Sequence, residues 1–188
     1  MPETAVATSF TDKLTASREA ARALATATTA QKNTALRAIA DAVLRNQARV
    51  LQANELDLAN GRDNGLSAGL QDRLRLDEKR LIALSQAVLE IVALPDPVGD
   101  VVRGSSLENG LQLTQIRVPF GVVGAIYEAR PNVTIDIAAL ALKSGNAVVL
   151  RGGTAAENTN RVLVEVIQSA LEEAGLPIES VQTIDEFG

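Results

Sequence analysis

The sequence predicts an α/β protein: N-terminal helices, then a β-hairpin arm, then a β-α-β-α-β half of a doubly wound parallel sheet. Three observations lead to this prediction. Residues 1–97 carry apolar side chains at helical spacing, and residues 98–118 contain two strand-like segments joined by an Asn-Gly turn signal. Residues 119–188 alternate short apolar runs with helical segments, which is the order of a Rossmann-like half. We expect residues 1–188 to belong to one nucleotide-binding domain.

The first half of the chain is expected to be helical because its apolar residues recur every three or four positions. In the second helix, for example, Leu36, Ile39 and Val43 fall on one face. Asp57 and Asp63 are interpreted as parts of solvated helix faces and are assigned no chemistry. The predicted helices run from a cap at Ser9 to about Thr26, from Gln31 to Arg45, from Ala48 to Asn60, from Leu66 to Leu76 and from Glu78 to Leu94.

Residues 98–118 change in character from helical to extended. Val101–Arg103 and Leu111–Ile116 are predicted strands, and Asn109-Gly110 between them is a typical hairpin signal. The second strand partly alternates apolar and polar residues, so one of its faces is expected to be wet. A two-stranded arm is marginal by itself, and we therefore expect it to pack against another element.

The last third of the chain carries the predicted sheet. The run Gly121–Ile126 is small and β-branched, as expected of a strand covered on both faces. Pro131 disfavours a helical Arg130, so Asn132 is the predicted N-cap of the next helix. The other predicted elements are a helix over Val133–Leu142, a strand over Ala147–Leu150, a helix over Thr154–Ala174 and a strand over Val181–Ile184. Polar groups therefore gather where the strands end, which is the edge at which open α/β sheets bind ligands.

The composition argues against several classes of function. The 18 lysine and arginine residues against 23 aspartate and glutamate residues give a formal net charge of −5, and aromatic residues make up 2%. A nucleic-acid-binding surface is therefore not expected. Without cysteine or histidine, the chain offers no disulfide, no thiolate metal site and no cysteine nucleophile. No apolar run is long enough to span a membrane, and we expect a soluble cytoplasmic protein without a bound metal.

The first candidate site is the segment Arg151-Gly152-Gly153-Thr154, between a predicted strand and a predicted helix. Its glycines let a phosphate-bearing ligand approach the backbone, and an arginine holds a phosphate through two parallel hydrogen bonds. The alternative interpretation is an ordinary strand-to-helix loop with a surface arginine. The usual nucleotide fingerprint G-x-G-x-x-G is missing, so the spacing leaves both interpretations open.

The second candidate site is the segment Glu128–Asn132. Asn132 lies where a strand ends and a helix starts, and its side-chain amide is of the kind that donates to a developing oxyanion. The residues alone favour the simpler interpretation, in which Asn132 only caps its helix. Arg130 either binds a phosphate or carboxylate, or forms a structural ion pair with Glu128 or Asp136.

These segments resemble the gamma-glutamyl phosphate reductase family, within the aldehyde dehydrogenase superfamily. The most specific match is the block from Tyr127 to Thr134, which contains Arg-Pro-Asn-Val-Thr. The resemblance covers nearly the whole chain and implies the N-terminal part of an aldehyde-dehydrogenase-like cofactor domain. The other matching blocks are Arg117–Gly121, Leu142–Ala147, Val149–Gly153, Asn54–Asp57 and Leu70–Leu74.

The resemblance implies an NADPH-dependent reduction of L-glutamyl 5-phosphate to L-glutamate 5-semialdehyde with release of phosphate, in proline biosynthesis. In the family, a cysteine thiolate displaces phosphate to give a thioester, and a hydride then releases the aldehyde. By position, Asn132 resembles the asparagine that stabilises the oxyanion. Arg130 and Glu128 are expected to bind the substrate, with Arg130 on a carboxylate or phosphate.

The same resemblance assigns Arg151, Gly152, Gly153 and Thr154 to the cofactor. Arg151 lies where many relatives have a lysine against the adenosine ribose. NAD-preferring relatives often have a glutamate at the position of Thr154. A cation with no opposing carboxylate favours a 2′-phosphate, so we expect NADP rather than NAD.

In the family, the catalytic cysteine, the second half of the nucleotide fold and the catalytic domain lie downstream of the point that matches Gly188. The resemblance therefore implies a truncated enzyme, and we expect the chain alone to be inactive and poorly soluble or oligomeric. The alternative is a non-catalytic module that binds nucleotide or assembles with an intact subunit through residues 101–116. A homo-oligomer, by analogy a dimer, is expected, and a glutamate 5-kinase acting upstream is a further candidate partner.

Overall fold

A computed structural model describes residues 9–187 of the chain. Residues 1–8 of the predicted helical range 1–97 lie outside the described residues. The same holds for residue 188 of the predicted range 119–188. The helices are α1 (Phe10–Thr26), α2 (Thr29–Arg45), α3 (Gln47–Asp63), α4 (Ala68–Leu74), α5 (Glu78–Ala93), α6 (Pro131–Lys143) and α7 (Glu157–Glu173). The strands are β1 (Val101–Ser106), β2 (Gln112–Ile116), β3 (Val122–Ile126), β4 (Ala147–Arg151) and β5 (Val181–Thr183).

The first two helices begin where side chains satisfy their free backbone N–H groups. Ser9 accepts a hydrogen bond from the N–H of Asp12, and the Asp12 carboxylate accepts one from the N–H of Ser9. Thr28 and Gln31 make the same reciprocal pair at the start of α2. The predicted cap at Ser9 is confirmed, whereas α2 begins two residues before the predicted start at Gln31.

Helix α4 is shorter than the predicted range from Leu66 to Leu76. The Leu66 N–H donates to the Gly61 carbonyl at 2.8 Å, which holds Leu66 in the preceding loop. At the other end, Arg75 is extended, and its carbonyl accepts from Arg80 at 2.7 Å. Loop geometry at both ends therefore limits the helix to seven residues.

The last third of the chain forms a three-stranded parallel sheet in the order β3-β4-β5. The register pairs Val122 with Ala147 and Ile126 with Arg151. The predicted β-α-β-α-β order is therefore confirmed. The sheet shares one hydrophobic core with the apolar faces of the helices, and β4 is buried at its centre.

Strand β3 differs from the prediction that both of its faces are covered. Gly124 is exposed and Ile126 is 81% exposed. Within residues 9–187, β3 pairs only with β4, so it is an edge strand of the described sheet. An apolar edge strand with exposed side chains is a surface that proteins usually cover.

The predicted hairpin arm is present and is longer than expected. Strand β1 continues past Arg103 to Ser106 because Gly104, Ser105 and Ser106 pair with β2. Gly110 adopts a φ of 85°, which the turn requires and which glycine accepts without strain. Every residue of both strands is exposed, so the described residues do not supply the packing that the arm was expected to need.

The interpretation of Asp57 as part of a solvated helix face is wrong. Its carboxylate is buried and accepts from the backbone N–H of Asn158 at 3.2 Å and of Thr159 at 2.8 Å. The side chains of the same two residues donate to it at 2.8 and 2.6 Å. Helix α7 has no side-chain cap at Ala156, so Asp57 of α3 satisfies the N–H groups of its first turn.

We predict that Asp57→Ala lowers the free energy of unfolding by about 3 kcal/mol, because it leaves several buried donors of α7 without an acceptor. Urea denaturation followed by circular dichroism measures the change. Asp63→Ala is the matched control, since Asp63 lies exposed on the same helix. The control should change the free energy by less than about 0.5 kcal/mol. Equal effects of the two substitutions would contradict the capping role.

Candidate cofactor and substrate site

The candidate site lies where β3 and β4 end side by side. Ile126 and Arg151, the last residues of the two strands, are paired in the parallel register. The Tyr127 N–H extends the ladder by donating to the Arg151 carbonyl at 3.1 Å. The two predicted candidate segments, which follow these strands, therefore leave the same edge of the sheet.

The glycine segment after β4 passes close to the loop after β3. A Cβ atom at Gly153 would lie 2.6 Å from the backbone nitrogen of Ala129, so only glycine fits without movement of the backbone. The Gly152 N–H donates to Oδ1 of Asp185 at 2.9 Å. Thr154 begins a 3₁₀ turn, and α7 starts only at Glu157, later than the predicted start at Thr154. Sequence reasoning missed Asp185, which lies after β5.

Asn132 is not the N-cap of its helix, contrary to the prediction. Arg130 has the extended backbone of an N-cap (φ −129°, ψ 94°), and Pro131 is the first helical residue. Asn132 therefore lies in the first turn of α6, where its Nδ2 donates to Oδ2 of Asp136 at 3.2 Å. An amide nitrogen carries two hydrogens, and no other hydrogen bond from Nδ2 of Asn132 occurs within the described residues. The simpler interpretation of Asn132 as only a cap is thereby removed.

The carboxyl group of Asp136 is half-buried beside this amide. Burial raises the pKa of Asp136, although the hydrogen bond from Asn132 and the charge of Arg130 both act in the opposite direction. The carboxylate accepts from one hydrogen of the Asn132 amide and so fixes its orientation.

Glu128 lies between two arginines. Its carboxylate is 3.3 Å from Nη1 of Arg73 and 3.7 Å from Nη1 of Arg130. The sequence left open whether Arg130 binds an anion or forms an ion pair with Glu128 or Asp136. The structure contains a loose ion pair between Arg130 and Glu128. Arg73 was not singled out from the sequence, although it lies within the Leu70–Leu74 block that matches the family.

A buried polar chain runs beneath the two segments. Oη of Tyr127 is 2.8 Å from Oγ1 of Thr134, which donates to Oδ1 of Asn160 at 2.9 Å. Burial raises the pKa of Tyr127 to about 12, the Thr134 hydrogen bond opposes this shift, and the charge of Asp185 adds to it. Nδ2 of Asn160 is buried without a hydrogen-bond partner among residues 9–187, and it lies where a Cβ on Gly152 would project.

Two clefts open beside this edge, and the site residues divide between them. Asn132 and Arg130 line a cleft of about 400 Å³ among α4, α5 and α6. Arg151 lines a cleft of about 290 Å³ together with Phe10 of α1 and Ile126 of β3. The structure therefore brings Asn132 and Arg151 to one edge of the sheet but not into one cleft.

Membrane-spanning helices and metal-binding clusters of acidic side chains are both absent from the described residues. No helix in residues 9–187 is both long enough and apolar enough to cross a membrane. Over the same residues, no three acidic side chains gather in the way that would hold a metal ion.

The sequence is similar along its full length to known proteins. It is 66% identical over 188 residues to a gamma-glutamyl phosphate reductase of Leifsonia xyli subsp. xyli, covering 100% of this chain and 45% of that protein. It is 60% identical over 169 residues to the protein of the same name from Kineococcus radiotolerans, covering 90% of this chain and 39% of that protein. The chain thus spans less than half the length of these relatives. No protein-family model matches the chain.

Solved structures have the same fold. Gamma-glutamyl phosphate reductase from Thermotoga maritima superposes with a TM-score of 0.91 at 40% identity, over 95% of this chain and 43% of that one. A probable aldehyde dehydrogenase from Listeria monocytogenes, at 18% identity, gives a TM-score of 0.71 over 93% of this chain and 36% of that one. The second likeness concerns the fold alone, and it places the chain among aldehyde-dehydrogenase-like folds.

We predict that Gly153→Ala displaces the glycine segment, because the added Cβ meets backbone rather than a flexible side chain. The free energy of unfolding should fall by about 1–3 kcal/mol, as for other overpacked sites. Gly69→Ala is the control, since nothing lies within 4 Å of a Cβ built there. Thermal unfolding compares the two variants. A Gly153→Ala protein as stable as the control would show that the two loops are not in close contact.

Proposed function

We propose that this chain, which has the sequence and fold of the N-terminal part of gamma-glutamyl phosphate reductase, provides the cofactor-binding and oxyanion-stabilising part of such an enzyme. The reaction is the NADPH-dependent reduction of L-glutamyl 5-phosphate to L-glutamate 5-semialdehyde, with release of phosphate, in proline biosynthesis. Residues 1–188 are assigned to one nucleotide-binding domain of that enzyme. The observation that carries the proposal is the Asn132 amide, held by Asp136 at the carboxyl edge of a parallel sheet.

Asn132 supplies the oxyanion donor in this proposal. One hydrogen of Nδ2 is used by Asp136, which leaves the second available for a negatively charged oxygen on the substrate. A donor that is oriented in advance stabilises charge as it develops, without reorganisation during the reaction. The attacking thiol has to come from outside these residues, because the chain contains no cysteine. The chain alone is therefore proposed to be inactive.

Arg151, Gly152, Gly153 and Thr154 are proposed to hold NADPH. The fit rests on Nδ2 of Asn160, which is buried beneath Gly152 and has no hydrogen-bond partner among residues 9–187. When bound, NADPH supplies the hydride. Arg151 is proposed to favour the 2′-phosphate, since Thr154 adds no carboxylate at the position where NAD-preferring relatives often have one.

Arg130 and Glu128 are proposed to bind the substrate, because they lie at the entrance to α6 beside Asn132. Arg130 is half-exposed and bound only loosely by Glu128, at 3.7 Å, so its guanidinium can donate to an anion.

A homo-oligomer is also proposed, and the fully exposed β1–β2 arm supports it. The same exposure favours the second candidate function, a module that assembles with an intact subunit. The resemblance is the ground for proposing an upstream glutamate 5-kinase, and the cytoplasmic location expected from the sequence stays a proposal.

Arg151→Ala should weaken the binding of NADP⁺ about 10-fold or more, because it removes a charged partner of the 2′-phosphate. The binding of NAD⁺ should change little. Titrations of the chain with both nucleotides, followed by isothermal calorimetry, measure the two constants. Arg62→Ala, which breaks an exposed ion pair with Glu55, serves as the control. Equal losses for the two nucleotides would show that Arg151 does not select the 2′-phosphate.

The catalytic role is tested in a chimeric enzyme in which this chain replaces the matching part of the Leifsonia xyli protein, to which it is 66% identical. We expect the chimera to consume NADPH with L-glutamyl 5-phosphate. Asn132→Ala should lower kcat and kcat/KM about 10²- to 10³-fold, as expected when one oxyanion donor is lost. Asn60→Ala, at an exposed position of α3, is the control.

Two results would contradict this account. A folded but inactive chimera would contradict the proposed function. An active chimera whose rate is equally unaffected by Asn132→Ala and Asn60→Ala would retain the function and remove the oxyanion role of Asn132.

A further inference from the structure

The cleft that contains Asn132 has an excess of positive charge. Four arginines and two aspartates line it, and Glu128 adjoins it, so positive charges outnumber negative ones by one. Its volume of about 400 Å³ is within the range of small-molecule sites. A substrate whose reacting carbon lies at Asn132 would therefore place its charged groups among arginines.

The arginines of this cleft are not equally available. Arg80 donates to the carbonyls of Asp72 and Arg75 at 2.6 and 2.7 Å and to the Asp72 carboxylate at 2.9 Å. Its guanidinium is thus committed to the end of α4. Arg73, by contrast, has a single partner among the described residues, Glu128 at 3.3 Å.

Glu128 does not saturate the two arginines that flank it. Its distances of 3.3 Å to Arg73 and 3.7 Å to Arg130 exceed the roughly 2.7–2.9 Å of tight charge-assisted hydrogen bonds. Each guanidinium carries five N–H donors, and one loosely held carboxylate uses few of them. The side chains of Arg73 and Arg130 are 55% and 46% exposed, so a ligand can reach both.

We propose that Arg73 is a specificity-determining residue, which together with Arg130 binds an anionic group of the substrate, with Glu128 holding the two guanidiniums side by side. The inference rests on the proposed function and adds α4 to the substrate site. The ligand chemistry is an oxyanion that accepts from two arginines. L-Glutamyl 5-phosphate carries two such groups, the phosphate and the α-carboxylate.

The test uses the chimeric enzyme in the reverse direction, in which inorganic phosphate and L-glutamate 5-semialdehyde are separate substrates and NADPH formation is followed. Arg73→Gln should raise KM for one of these two anions about 10-fold or more, the usual effect of losing a charged hydrogen bond. KM for NADP⁺ should not change, and kcat should change less than KM, because Arg73 is proposed to hold an anionic group of the substrate and not its reacting carbon. Arg73→Lys, which keeps the charge, should restore part of the loss.

Arg45→Gln is the matched control, since Arg45 is 56% exposed and pairs with Glu173 on another surface. A rise in KM for phosphate assigns the group as the phosphate, and a rise for the semialdehyde assigns it as the α-carboxylate. Unchanged KM values for both anions, or equal changes in the Arg45→Gln enzyme, would overturn the inference. An unsubstituted chimera without activity would instead mark the failure of the proposed function.

Discussion

The candidate site depends on the close backbone contact between the loops that follow β3 and β4. Gly153 lies so near Ala129 that no side chain fits between them, and the Tyr127 N–H bonds to the Arg151 carbonyl just before that contact. The segment that carries Asn132 is thereby held against the segment that carries Arg151. A parallel sheet supplies such adjacency because its strands end on the same edge.

Buried polar groups fix the helices that start at this edge. Thr134 in the first turn of α6 donates to Asn160 in the first turn of α7, which ties the two helix starts together. Asp57 holds Asn158 and Thr159 from α3. The side chains of this network are hydrogen-bonded within residues 9–187, apart from Nδ2 of Asn160. An oxyanion donor is effective only when its position is fixed before the reaction. Asn132 and Arg151 line two separate clefts at this edge.

The elements of the fold could be predicted because their signals are local: helical spacing, turn residues and short apolar strands. The errors have equally physical causes. The sequence favours Asn132 as a cap because its side chain suits that role, but Pro131 fits the first helical position and moves the cap to Arg130. The apolar residues of β3 predict a strand covered on both faces, yet composition does not show how many strands lie beside it.

The supporting residues of the site could not be predicted because their partners are distant in sequence. Asp57 and Asn158 are 101 residues apart, and Arg73 and Glu128 are 55 apart. Both Asp57 and Arg73 lie in sequence blocks that match the family. The match drew attention to these blocks but did not predict which distant residues Asp57 and Arg73 contact. The roles of Asn132, Arg130, Glu128 and the glycine segment in binding and catalysis stay predictions.

A crystal structure of the protein with NADP⁺ tests the central claim most directly. We expect the 2′-phosphate within hydrogen-bonding distance of the Arg151 guanidinium, the pyrophosphate beside Gly152 and Gly153, and the nicotinamide end directed toward Asn132. A nucleotide bound away from the carboxyl edge of the sheet, or with its nicotinamide end at Arg151, would contradict the account.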